Sequence, residues 1–215
     1  MVKIAPSLLA ADYLHLAEAV EIVNTSADLF HMDVMDGGFV PNISIGFPIV
    51  EAVASAAEKP LDVHLMIVNP QNYVSRFAAI KGVGMVSFHL EACPAPVELL
   101  AALRRQNVKA GLAINPDRNV EELFPYLEHC DFILLMSVFA GFGGQKFIYS
   151  SIDRVSALRD EAARRGVGIL IEVDGGVDSG NASALAQAGA GILVAGRSVF
   201  RAADPAAYVR ELRSF

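Results

Sequence analysis

Short apolar runs alternate along the chain with stretches of helical periodicity. The runs are KIAPSLL (3–9), LFHMDVM (29–35), LDVHLMI (61–67), MVSFHLE (85–91), KAGLAIN (109–115), FILLMSV (132–138), GILIEVDG (168–175) and GILVAG (191–196). Their length and their β-branched and apolar content predict strands. Between them, Leu16, Val20 and Val23 recur at helical spacing behind Asp12, a favourable N-cap residue type. Asn69-Pro70 and Asp204-Pro205 each read as an N-cap followed by proline at the first helical position. Ile152, Val155, Leu158 and Ala162 form one apolar stripe, which Gly166 is placed to end.

Eight such units in 215 residues give a period of about 27 residues, enough for a strand, a helix and two short loops. Strict alternation implies parallel strands. The expectation is therefore an α/β protein, a closed (β/α)8 or TIM barrel forming a single domain over residues 1–215. A doubly wound open sheet is the rival. It is disfavoured because Pro6-Ser7, and no G-x-G-x-x-G, follow the first strand.

Composition narrows the function. Hydrophobic residues make up 53% of the chain, which excludes disorder and implies a large core. The net charge of −7 argues against nucleic-acid binding, which needs a basic face. An anionic ligand would have to be held by local donors. The longest uncharged run, SGNASALAQAGAGILVAG, is too rich in Gly, Ser, Asn and Gln to enter a membrane, and the amino terminus offers no signal-peptide core. Cys93 and Cys130 fit neither a metal spacing nor a disulfide framework, so a reduced, cytoplasmic protein is expected.

The polar residues inside the strands carry the chemistry. Alternation places His31, Asp33 and Met35 on one face of the second strand, Asp62, His64 and Met66 on one face of the third, and Glu172 and Asp174 on one face of the seventh. In a barrel these faces point inward, and the later members lie near the carboxyl ends, where barrel active sites form. Ser7, His89, Glu91, Asn115 and Met136 belong to the same band. Burying such charges unpaired is costly. Two His and two Asp converging there fit one divalent cation, Zn2+, Fe2+, Mn2+ or Co2+, which would neutralise the carboxylates. Taken singly, His89 reads as a supporting residue, Asp36 as a turn residue capping backbone N–H groups, and the methionines as core.

Three glycine-bearing segments, GFGGQ (141–145), DGG (174–176) and AGR (195–197), follow the last three strands. Glycine lets backbone N–H groups approach an anion, and barrels often bind phosphate after strands seven and eight. These segments, with APSLLAADY, FHMDVMDGGFVPNISIGFP, LDVHLMIVNP, FHLEA, GLAINP, GFGGQKF, IEVDGG and VAG, resemble the ribulose-phosphate 3-epimerase family in order, from Lys3 to about Arg213.

The resemblance implies a phosphate-binding barrel that interconverts D-ribulose 5-phosphate and D-xylulose 5-phosphate in the pentose phosphate pathway of carbohydrate metabolism. Proton transfer at C3 between two carboxylates would pass through a metal-stabilised enediolate. It implies one divalent cation per subunit held by His31, Asp33, His64 and Asp174, with Asp33 and Asp174 as the acid/base pair. Ser7, His64, Gly141, Phe142, Gly143, Gly144, Asp174, Gly175, Gly176, Gly196 and Arg197 would contact substrate, and Met35, Met66 and Met136 would cap the site. It also implies a homodimer or homohexamer. The alternatives are a D-allulose 6-phosphate 3-epimerase and a non-catalytic sugar-phosphate-binding barrel. GFGGQKF and NISIGFP favour the pentose enzyme, and retention of both carboxylates and all four ligands favours catalysis. Two positions depart from the family pattern. Phe139-Ala140 stand where an acidic residue or Asn followed by Pro is usual, removing a fixed φ. Arg197 stands where Ser is common, and either pairs with phosphate or turns to solvent.

Overall fold

The computed structural model describes residues 1–215. Eight strands, β1 (Lys3–Pro6), β2 (Phe30–Met35), β3 (Leu61–Met66), β4 (Val83–His89), β5 (Lys109–Ile114), β6 (Phe132–Met136), β7 (Leu170–Asp174) and β8 (Ile192–Ala195), form one all-parallel sheet. The order is β1-β8-β7-β6-β5-β4-β3-β2, so every strand lies beside its sequence neighbour. The ring is closed at β1 and β2 by an isolated bridge between Ser7 and His31 and by backbone and side-chain bonds between Ile4 and Asp28. This thin seam lies beside the polar end of β2.

The crossovers are α1 (Leu16–Ser26), α2 (Phe47–Ala56), α3 (Val74–Ala78), α4 (Pro96–Arg104), α5 (Ser151–Arg165) and α6 (Ala182–Ala188), with α7 (Arg197–Phe200) and α8 (Pro205–Arg213) after β8. Between β5 and β6 the chain forms a 3-10 helix, Val120–His129, whose interior Pro125 removes an N–H and disfavours a regular α-helix. Asp204 caps α8 through the Ala207 N–H, as its pairing with Pro205 predicts. Gly166 ends α5 at φ +69°, also as expected.

Asn69 corrects its reading as an N-cap. It adopts a left-handed conformation (φ 51°), makes no capping bond, and precedes only a short 3-10 turn, Pro70–Asn72. Asp12 likewise caps a 3-10 turn, Tyr13–His15, and α1 starts after it. The first strand stops at Pro6, short of the expected Leu9, because the Ser7 hydroxyl accepts the Leu9 N–H and begins a 3-10 turn.

Alternation sorts the strand residues into two layers. Phe30, Met32, Val34, Leu61, Val63, Leu65, Ile171 and Val173 join the apolar layer between sheet and helices. Inside the ring, Ala5, Met85, Ala113, Phe132, Leu134, Ile192 and Val194 form a second apolar core. Phe132 fits there because β5 offers Gly111, where a Cβ would stand 2.3 Å from the ring's Cζ atom. The inward polar residues of β2, β3 and β7 lie in this same interior, where an apolar partner would have been cheaper.

Candidate active site and metal centre

The register β2/β3 sets His31 beside Asp62 and Asp33 beside His64, and β7 contributes Glu172 and Asp174 from across the ring. His31 Nε2 and His64 Nδ1 approach Asp33 Oδ1 at 3.4 and 3.5 Å, and each lies 3.9 Å from Asp174 Oδ2. The four ligand atoms fall within 4.8 Å of one another. His31 Nε2, Asp33 Oδ1 and His64 Nδ1 are fully buried, and none has a hydrogen-bond partner. Orphaned buried polar atoms are costly. Two nitrogens and two carboxylate oxygens converging without bonding one another are the donor set a borderline divalent cation takes, so the residues fit such an ion.

Supporting contacts fix the side chains of the cluster. His31 Nδ1 lies 2.5 Å from Asp62 Oδ2, which orients the ring and aims Nε2 at the cluster. His64 Nε2 lies 2.9 Å from His89 Nε2, and His89 Nδ1 lies 3.5 Å from Glu91 Oε2. His89 therefore stands behind His64, as a supporting residue would. Ser7 Oγ donates to Asp33 Oδ2 at 2.5 Å across the β1/β2 seam, leaving Oδ1 for the cluster. Asp36 accepts the Gly38, Phe39 and Val68 N–H groups, the turn role expected, and also ties the loop after β2 to the end of β3.

The electrostatics push the site's titratable groups in different directions. Burial alone would depress the His31 pKa, but Asp33 and Asp62 outweigh it and hold it well above the usual imidazole range. Burial would raise Asp33, yet His31 and His64 hold it below the usual carboxylate range. Asp174 goes the other way: burial, then the charge of Asp33, push it up to about 7. Glu172, deeper in the barrel, is raised by burial and by Asp62. Burial pushes His89 down to about 4.

Above the cluster opens a cavity of about 630 Å3. Ser7, Asp33 and Asp174 line its floor and walls together with Met35, Met66 and Met136. Gly141 through Gly144, Gly175, Gly176, Gly196 and Arg197 line it too. The two histidines are wholly buried and are not among its lining residues, so His64, expected to touch substrate as well, stands beneath the floor. Gly176 cannot carry a side chain: its φ is +64°, and a Cβ would lie 2.8 Å from the Phe147 nitrogen. Arg197 lays its Cδ and Nη1 across Gly144, 3.1 Å from where a Cβ would stand. The lining residues Gln145, Ser198 and Arg201 lay outside the expected set. Arg201 had a signal, its spacing of four from Arg197 on the turn after β8.

Fold and site together define a class, a TIM-barrel enzyme whose strand ends gather a histidine–carboxylate cluster beneath a glycine-walled cavity. A profile of the ribulose-phosphate 3 epimerase family matches residues 3–200. The ribulose-phosphate 3-epimerase of Bacillus subtilis is 43% identical, with 99% of each chain covered. That of Synechocystis is also 43% identical, covering 99% of this chain and 94% of the relative. Among solved structures, a KGPDC from Streptococcus mutans superposes with a TM-score of 0.75 at 15% identity, covering 100% of this chain and 96% of that one, a likeness of fold. The chain belongs to the ribulose-phosphate 3-epimerase family and is an epimerase.

Proposed function

We propose that the chain interconverts D-ribulose 5-phosphate and D-xylulose 5-phosphate, with Asp33 and Asp174 as its acid/base pair. The observation that carries this reading is that these are the two cluster carboxylates lining the cavity, brought there from two non-adjacent strands, β2 and β7. Two carboxylates placed in this way can serve as one base and one acid. Inversion at C3 then needs one carboxylate to take the proton from one face of the sugar and the other to return a proton to the opposite face. Ser7 holds the Asp33 carboxylate in place through Oδ2. Met35, Met66 and Met136 shield the reacting carbons from water while offering no strong proton donor of their own.

His31, Asp33, His64 and Asp174 would hold one divalent cation, Zn2+ or Fe2+ before Mn2+ or Co2+. Such a cation supplies Lewis-acid stabilisation of the negative charge that develops on the ketone and hydroxyl oxygens. The glycine loops after β6, β7 and β8, with Arg197, would grip the phosphate. No helix is long and apolar enough to cross a membrane. The reading is completed by a single cytoplasmic domain acting as a homodimer or homohexamer. Side-by-side coupled assays on D-ribulose 5-phosphate and D-allulose 6-phosphate, with metal analysis of protein purified without chelator, test it. The pentose phosphate should be turned over with higher kcat/KM, by protein carrying about one cation per subunit. A preference for the hexose phosphate, or no turnover of either, would refute the proposal.

A further inference from the structure

The loop 139–145 supplies much of the cavity wall but contains no helix or strand, so contacts outside it must set its backbone. Two asparagines do this. Asn115 Oδ1 accepts the Ala140 N–H at 3.0 Å, and Asn42 Nδ2 donates to the Gly141 carbonyl at 2.7 Å. The pivot between them is Gly141, at φ +120°. Further along, Gln145 Nε2 donates to the carbonyls of Phe139 and Phe142 and folds the loop on itself. The bond from Ala140 exists because residue 140 carries an N–H, which a proline would lack.

Asn115 differs from Asn42 in what stands behind it. Its backbone N–H and its Nδ2 both donate to Glu91 Oε1, at 2.9 and 3.1 Å. Glu91 Oε2 faces His89 Nδ1, and His89 faces the ligand-cluster residue His64. Arg154 of α5 donates to the Asn115 carbonyl at 2.9 Å and to the Met136 carbonyl at 3.1 Å, fastening the ends of β5 and β6 together. A continuous run of polar contacts thus leads from His64 to the first residues of the loop. Asn115 itself does not line the cavity.

We propose that Asn115 is a positioning residue that ties the 139–145 loop to the His64–His89–Glu91 limb and so presets the loop's N–H groups for a phosphate monoester. This rests on the reading of that loop as a phosphate grip. Apart from the two bonds from Gln145, no hydrogen bond joins one residue of the loop to another, and a preset loop loses less conformational entropy when an anion arrives. The contact acts on binding more than on chemistry, since the carboxylates are held independently by β2 and β7.

The test uses the full-length, metal-loaded protein, with inorganic phosphate as the probe in titration calorimetry beside steady-state kinetics. For Asn115→Ala, the phosphate Kd and the substrate KM should both rise about five- to tenfold, the scale of one lost hydrogen bond, while kcat changes less than about threefold. Metal stoichiometry should hold, because the backbone N–H of residue 115 still binds Glu91. A purely structural role would lower Tm and leave the phosphate Kd at the parent value. That outcome overturns the inference while leaving the phosphate loop intact as an assignment. A parent protein that fails to bind phosphate would instead refute the loop assignment, and the inference with it. Should the alanine variant not fold, Asn115→Ser keeps a donor for Glu91 but is too short to reach Ala140. The same rise in Kd is expected there, and an unchanged Kd overturns the inference.

Discussion

Replacing Arg197 with serine isolates the electrostatic share of phosphate binding. Arg197 opens α7 directly after Gly196, and its stem crosses Gly144 at the cavity wall. The ion pairs elsewhere on the surface leave its guanidinium out, so it is free for an anion in the cavity. A unit charge pair at about 4 Å is worth roughly 1 kcal/mol in a water-like medium and about 4 kcal/mol at an effective dielectric near 20. Hydrogen bonds to charged groups add up to about 1.5–3 kcal/mol net. Arg197 is exposed, which places it at the low end. A loss of about 1.5 kcal/mol then corresponds to a roughly tenfold rise in the KM for sugar phosphate and in the Ki for inorganic phosphate. With proton transfer assigned to Asp33 and Asp174, kcat should change little. Screening supplies a second signature: the Debye length falls from about 10 Å at 0.1 M salt to about 3 Å at 1 M, so the gap between parent and variant should narrow in 1 M KCl. Arg197→Lys should recover only part of the loss, since an ammonium lacks the two-pronged geometry. KM and Ki both within about twofold of the parent at low salt would show that the side chain points away from the anion, and the reasoning would fail.

His64→Ala should remove most of the bound cation and the activity together; stoichiometric metal with near-parent turnover would refute the ligand assignment. In metal-replete Asp33→Asn and Asp174→Asn, epimerisation should collapse while one-sided deuterium exchange in D2O survives, each variant labelling a different epimer. Near-parent turnover in either would refute the two-carboxylate account. Chelator-treated protein should lose stability as pH rises from 5 to 8. Asp174, raised to about 7 in the fold, favours its protonated form, and that contribution disappears as pH climbs through the folded value. His31 and Glu172, both raised well above their usual ranges, add to the loss, and His64 and His89, depressed by burial, offset part of it. Thermal melts at both pH values check this, and a Tm that rises across the window would contradict it. Adding Zn2+ should raise Tm at pH 8 in proportion to the logarithm of its concentration.

The strand pattern was legible because a buried parallel strand must be apolar on its helix-facing side, and that side cannot be disguised. On β2 the alternation Phe30-His31-Met32-Asp33-Val34-Met35 already separates helix-facing from barrel-facing residues, so the members of the cluster follow once a closed ring is accepted. Asn69 and the crossover through Pro125 were less legible, because the local signals for an α-helix start and for a 3-10 turn are nearly the same. Other features exist only in three dimensions. No sequence spacing shows that His31, Asp33 and His64 would be left with bonding atoms turned toward one another and partnerless, or that the two histidines would hold Asp33 low while burial and the Asp33 charge push Asp174 high. Nor does it show that Asn115 meets Ala140, because that bond joins the ends of two strands through a loop with no periodicity to read. The sequence by itself determined which residues face inward, since alternation is a property of one strand. The tertiary structure decided which of them meet, how deeply they are buried and what holds the loops, since those depend on closing eight strands into one ring and on the dielectric that closure creates.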